Sequence, residues 1–151
     1  MIKLNNIYFN SHARGPWCQL PYPGHEKGCP NYPQCLDKHP IFTEKLEKEF
    51  EWFAVIEEFN LEEHAKKMKE KHPEWTTKQC RNLLYWQKAV RQRLKQKAHS
   101  KANFWIGDIV LEIPEACGIN VILTMLKAGV PMEIKNPKII RKVMFVGKRR
   151  N

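Results

Sequence analysis

The sequence predicts an α/β fold. We expect a small mixed sheet of about four strands, packed by helices, with an irregular Cys/Pro-rich loop near the N-terminus. Three observations carry this. Apolar runs rich in aromatic and β-branched residues recur at 52–59 (WFAVIEEF), 104–113 (FWIGDIVLEI) and 139–146 (IIRKVMFV). The stretches between them have apolar residues at helical spacing, and alternation of strands with helices is the pattern of layered α/β packing. The chain of 151 residues shows no internal repeat. That length fits one domain, 1–151, able to bury about 70% of its unfolded surface.

The elements follow in order. Ile2, Leu4, Ile7, Tyr8 and Phe9 form a broken alternation, a short first strand ended by Asn10, Ser11 and Gly15. Residues 41–51 read as a helix, with Phe42, Leu46 and Phe50 on one face and Thr43 as the cap. The 52–59 strand ends at Asn60. Leu61, Ala65 and Met68 then mark a helix that stops before His72-Pro73, because the residue before a proline avoids the α region. A long basic helix is expected over 76–101, capped by Thr76 or Thr77. Its apolar stripe is Cys80, Leu83, Leu84, Gln87, Val90, Leu94 and Ala98. Cys80 on that stripe reads as a buried, inert thiol. Tyr85 and Trp86 sit near the exposed surface of this helix. The 104–113 strand contains Gly107, and its Asp108 and Glu112 read as solvated edge residues. Pro114 and Glu115 start a helix that holds Cys117 in its first turn and ends at Gly129. The first turn of a helix favours a thiolate there. The last strand, 139–146, is followed by a basic tail, 147–151, expected to be mobile.

The chemistry concentrates in 17–39. WCQLPYPGHEKGCPNYPQC, residues 17–35, holds three of the five cysteines, a histidine, four prolines and two glycines. Proline and glycine at that density exclude a long helix or a central strand. A loop of this length needs something to order it, and a metal ion or cluster held by Cys18, Cys29 and Cys35 would do so. The spacing C-x10-C-x5-C contains no C-x-x-C pair and matches no standard zinc finger. His25 is a possible fourth ligand or a turn histidine. His39 is a weaker candidate, and Cys117 a further one. An odd number of cysteines fits thiols or ligands in a reducing compartment better than a disulfide framework.

The formal charge is +10, unevenly spread. Residues 42–63 carry eight acids and two lysines. Residues 76–101 carry eight Lys/Arg and residues 135–151 seven, with no acid in either block. Such blocks are either solvated faces or contacts for a polyanion, RNA or DNA. The nucleic-acid candidates are Lys78, Arg81, Lys88, Arg91, Arg93, Lys95, Lys97 and Lys101. Tyr85 and Trp86 could stack on a base, but an aromatic on a helix is more often core.

Other classes lack support. No run of about 18 apolar residues is present, so no membrane helix is expected. The N-terminus lacks the apolar stretch of a signal peptide, and we expect a cytoplasmic protein. No phosphate-binding glycine pattern occurs. Ser11 and Ser100 are not in a nucleophile elbow. A nucleophilic pair of Cys18 with His25 or His39 stays open, because such partners meet in space.

Two motifs resemble a known family. One is Cys29-Pro30-Asn31-Tyr32. The other is Pro114-Glu115-Ala116-Cys117-Gly118-Ile119-Asn120-Val121, followed by Lys127-Ala128-Gly129-Val130-Pro131. Together they resemble the Cys-rich "predicted metal-binding" proteins of bacteria and archaea, a family of uncharacterised proteins. In that family a C-P-P loop precedes a strand, and an E-A-x-G-I-D/N-V helix ends in an A-G-L/I turn before the final strand. The resemblance implies a metal or iron–sulfur site and supplies no reaction. Two departures stand out. The family usually has a second cysteine cluster before that helix, where residues 102–114 here have none. Cys117 stands where the family often has another residue, and it could replace a lost ligand.

Two readings follow. The first is a metal-centre protein holding a [4Fe–4S] cluster or zinc on Cys18, Cys29 and Cys35, possessing or lacking a reaction, and acting on or binding nucleic acid through its basic helix. Cys117 or an open position in fourth place favours a cluster, and His25 favours zinc. The second is a non-catalytic nucleic-acid-binding module with a zinc-stapled loop. A blander third reading has the acidic 42–63 segment and the basic helix attract each other, within the fold or between subunits.

Overall fold

The computed structural model describes residues 1–10 and 41–151. The loop expected over 17–39, with Cys18, His25, Cys29, Cys35 and His39, lies outside the described residues.

The sheet is organised by two long strands. β2 (Phe50–Asn60) pairs with β4 (Ile139–Arg149) over its whole length, from Phe50 opposite Arg149 to Asn60 opposite Ile139. β1 (Ile2–Lys3) flanks β2, and β3 (Ile109–Leu111) flanks β4 opposite Phe145–Gly147. The order is β1-β2-β4-β3. The four strands packed by helices are as expected. Every pair is antiparallel, where a mixed sheet was allowed for.

Both faces of this sheet are covered, which is why its strands read as nearly unbroken apolar runs. Side chains alternate across a strand. Phe50, Trp52 and Ala54 of β2 share one face with Val143 and Phe145 of β4 and Leu111 of β3. We call this the cysteine face, since Cys117 packs in the same cluster with Leu4, Ile7, Phe42 and Ile119. Val55, Met144 and Val146 point the other way, onto Leu94 and Ala98 of the helix α4 (Gln87–His99). Phe59 and Ile140 continue this helix face, against Leu61, Trp86 and Val90.

The covering elements follow local rules. On the cysteine face lies α1 (Glu44–Glu49), capped by the Thr43 hydroxyl, which accepts the Leu46 N–H. The expected 41–51 helix is shortened because Phe50 enters β2. α2 (Leu61–Lys71) starts at an Asn60 cap and stops before Pro73, as expected. α5 (Val121–Lys127) starts at Asn120, whose side chain accepts the Leu123 N–H at 3.0 Å.

Four expectations are corrected. The long basic helix is broken into α3 (Thr77–Cys80), a 3₁₀ turn at Leu83–Tyr85 and α4. The Asn82 side chain accepts the Leu84 N–H at 3.0 Å, offering the backbone an alternative to helix. Leu83 and Leu84 are therefore exposed, and Trp86 is buried in their place. Second, the 104–113 strand shrinks to β3, because Phe104–Ile106 form a 3₁₀ turn closed by Gly107 at φ +87°. Third, the helix expected from Pro114 is a separate 3₁₀ turn, Pro114–Cys117. Gly118 at φ +88° breaks it from α5. Fourth, the basic tail is not loose. Lys148 and Arg149 lie in β4, and the Arg150 N–H donates to the Glu49 carbonyl at 3.1 Å.

Candidate functional site

Cys117 ends its 3₁₀ turn fully buried. It does not occupy the first turn of an α-helix, so no helix dipole activates it. Its described neighbours are apolar. The surroundings of Cys117 are nevertheless specific. Its carbonyl accepts the Phe42 N–H at 2.9 Å, and the Gly118 carbonyl accepts the Asn10 N–H at 2.8 Å. Phe9 bridges to Ile119, the Asn120 N–H donates to the Tyr8 carbonyl at 2.7 Å, and the Tyr8 N–H donates to Thr124 Oγ1 at 3.1 Å. Residues 10 and 42 thus bracket the cysteine-rich segment, and both are tied to adjacent peptide units at Cys117 and Gly118.

Two further features belong to this face. Trp52 is buried, and its indole N–H has no hydrogen-bond partner among the described residues. Such an orphan costs about 1–3 kcal/mol. Its ring meets Phe42 edge-on at 5.0 Å, beside the returning end of the segment. Among the described residues, no group of three or more His, Cys, Asp or Glu side chains could hold a metal. A metal centre here must therefore draw ligands from 11–40, where Cys18, Cys29, Cys35 and His25 lie.

Cys80 is separate from this site. It is buried at the end of α3, among the helices that pack with α2, and the inert reading fits it.

The basic residues divide into two groups. Arg93 pairs with Glu57 at 2.9 Å, and Lys97 donates to the Ile56 carbonyl at 2.7 Å. Lys95 pairs with Glu112 at 2.8 Å, and Arg81 donates to the Pro137 carbonyl at 2.7 Å. These four are engaged inside the fold. Lys78, Lys88, Arg91 and Lys101 are exposed, with no carboxylate partner among the described residues. The acidic stretch thus meets the basic helix within one chain, through Glu57.

A cleft of about 300 Å³ lies where β3 stops short of β4. Arg141 to Met144 form its floor, with Arg91 and Leu94 of α4 on one wall and Val121 and Ile122 of α5 on the other. Its charges are mixed. Arg141 is held by Glu58 at 2.9 Å, and Glu112 by Lys95 and by His99 at 2.9 Å. Burial raises the Glu112 pKa, but the bonds from Lys95 and His99 outweigh it and the net direction is down.

Asp108 was misread, Trp105 was missed, and Trp86 is settled as core. Asp108, expected on a solvated edge, is buried. It accepts from the backbone N–H groups of Asn103 (2.8 Å) and Arg149 (3.0 Å) and from Lys148 Nζ (2.8 Å). Burial raises its pKa, the Lys148 ammonium and the two N–H groups lower it more, and the carboxyl stays below its usual range. Trp86, a stacking candidate, is instead core. It stacks on Phe59 at 5.0 Å and donates its indole N–H to the Arg81 carbonyl at 3.3 Å. The tryptophan in solvent is Trp105, 99% exposed. Its signal was the Asn103…Gly107 frame around three apolar residues, which marks a turn and not a strand.

Comparison with family models, curated proteins and solved structures gave no match. No helix among the described residues is long and apolar enough to cross a membrane.

Proposed function

We propose that this chain is a metal-centre protein in which Cys18, Cys29 and Cys35 hold an iron–sulfur cluster or zinc and Cys117 completes the ligand set. One observation supports it above others: Asn10 and Phe42, which flank residues 11–40 in the sequence, are hydrogen-bonded to the Gly118 and Cys117 carbonyls. Cys117 thus lies beside the two described residues from which the stretch carrying Cys18, Cys29 and Cys35 departs and to which it returns in sequence. Thiolates are soft ligands and select Fe–S clusters, zinc or Cu(I) over hard ions. The orphaned Trp52 N–H on the same face is consistent with an acceptor not supplied by the described residues. A reducing, cytoplasmic setting belongs to this reading, since it keeps the thiols available.

Anaerobic purification followed by analysis for iron, sulfide and zinc tests it. A brown protein with iron and sulfide, losing its visible absorption in Cys18→Ala, Cys29→Ala or Cys35→Ala, is expected for a cluster. One zinc per chain without colour is expected if His25 takes the fourth position, and His25→Ala then loses the metal while Cys117→Ala keeps it. Absence of all three elements from a folded preparation would sink the proposal.

The second reading is a nucleic-acid-binding module whose loop is stapled by zinc. The exposed Lys78, Lys88 and Lys101, with no carboxylate partner among the described residues, favour it. Zinc without iron, together with salt-dependent binding to RNA or DNA, distinguishes it.

A further inference from the structure

α4 is bracketed by two turns of the same construction. Each opens with an asparagine whose side-chain oxygen accepts the N–H two residues on: Asn82 from Leu84 at 3.0 Å, Asn103 from Trp105 at 3.2 Å. Each then carries three apolar residues through a 3₁₀ turn, Leu83–Tyr85 and Phe104–Ile106. In each the middle residue is the most exposed of the three, Leu84 at 79% and Trp105 at 99%. A side chain in water contributes nothing to the core, so packing does not explain these positions.

The second turn is the more firmly built. Asp108 holds the Asn103 N–H from within the fold, and the Asn103 carbonyl accepts from Ile106 and Asp108. The Arg149 side chain lies over Gly107, where a Cβ would meet its Cδ at 3.0 Å. The indole therefore projects from a fixed base, and little backbone freedom is left to lose when something binds it.

Exposed cations flank both turns in the sequence. Lys101 is exposed just before the second turn, and Lys78 and Lys88 stand on either side of the first, none with a carboxylate partner among the described residues. α4 turns Val90, Leu94 and Ala98 inward, and its outer residues are polar. It has no apolar face to lay into a bilayer, which an interfacial helix requires. An isolated flat ring, nearby cations and a polar ridge between them match a single strand with exposed bases and phosphates.

We propose that Trp105 is a base-stacking platform of a single-stranded nucleic-acid site along the outer edge of α4, with Lys88 and Lys101 on phosphates. The site lies on the helix face, opposite Cys117, and does not rest on the metal-centre reading.

Fluorescence anisotropy with labelled oligo(dT) and oligo(rU) of about 20 nucleotides tests this, at salt from about 50 to 200 mM. Removing a stacking ring is expected to weaken binding about tenfold or more in Trp105→Ala, with the salt slope unchanged, and Trp105→Phe should stay within about threefold of the parent. Lys88→Gln with Lys101→Gln should lower the salt slope by about 0.7 per cation. Trp105 is almost wholly exposed, so the variant is expected to fold, and circular dichroism checks that. Equal affinity in Trp105→Ala and the parent overturns the proposal. So does the lack of any anisotropy change with either oligomer at the lowest salt, or tighter partition onto phosphatidylserine vesicles than onto either oligomer. Metal analysis of the same samples keeps the two readings apart: lost metal with intact binding counts against the metal centre alone, and lost binding with intact metal against this site alone.

Discussion

On the cysteine face of the sheet the covering chain comes in short pieces: Leu4 to Asn10, Phe42 to Glu49, and Pro114 to Val130. On the other face one helix of 13 residues does most of the work, with Leu61 and Trp86 at its end. The cysteine face is knitted by backbone hydrogen bonds between its pieces, and their charged side chains, Glu44, Lys45, Lys48, Glu115 and Lys127, are exposed. The helix face is laced by ion pairs from α4 to the sheet acids Glu57 and to Glu112. The difference teaches that a basic run in a sequence overstates the field it presents. Half of the candidate cations of 76–101 are committed internally, and what remains lies mainly beside two apolar turns.

The comparison breaks most visibly in the cores. Phe145→Ala on the cysteine face is expected to cost about 4 kcal/mol, and Leu94→Ala on the helix face about 3 kcal/mol. Urea unfolding measures both. If the faces are separable, Leu94→Ala leaves the metal content per folded chain at the parental level. A proportional loss of metal in Leu94→Ala would show that they are not.

Asp108→Asn comes next, at about 3 kcal/mol, the low end for a broken buried pair, because Lys148 keeps some access to water. An amide also offers one acceptor oxygen where the carboxylate uses two. The pH dependence follows from the sign of the shift. The folded pKa of Asp108 lies below its unfolded value. Its contribution is complete above the unfolded value, about 3.9, and is lost as pH falls through the folded value. Acid titrations of stability should therefore show a fall below about pH 4 in the parent that is shallower in Asp108→Asn.

Smaller effects sharpen the charge argument. Glu57→Gln should change stability by about 1 kcal/mol or less, since Arg93 is half exposed. It frees Arg93 and Lys97, and the salt slope for an oligonucleotide should steepen accordingly. Trp105→Ala should move stability by less than about 0.5 kcal/mol, readable as an unchanged thermal midpoint.

Much of the fold was legible because both faces of the sheet are buried. WFAVI and VMFV left no ambiguity about two long strands, and Thr43, Asn60 and Pro73 marked helix ends through their own chemistry. Two of the errors share a cause. Asn82 and Asn103 redirect the backbone through a side-chain oxygen, and periodicity does not register a bond of that kind. The 83–85 and 104–106 triplets then look like parts of a longer helix and strand. Asp108 was misread because its partners, Lys148 and the Arg149 N–H, come from 40 residues away in sequence. Of the candidate metal ligands, Cys117 is the one among the described residues, and it is buried, as a lone cysteine serving as a small core side chain would be. Cys18, His25, Cys29 and Cys35 were read from composition, which indicates ligand-type chemistry without arranging it.

The pairing of Asn10 and Phe42 with neighbouring carbonyls at Gly118 and Cys117 has an architectural consequence. A chain that departs and returns at one spot behaves as an insertion, and closure entropy grows only slowly with the length of such an excursion, by about 0.6 kcal/mol per doubling. A change in the length of the span between them is therefore expected to cost little, so long as Asn10 and Phe42 keep these bonds. The described scaffold is in this sense a socket, with two adjacent contacts at the Cys117 and Gly118 carbonyls.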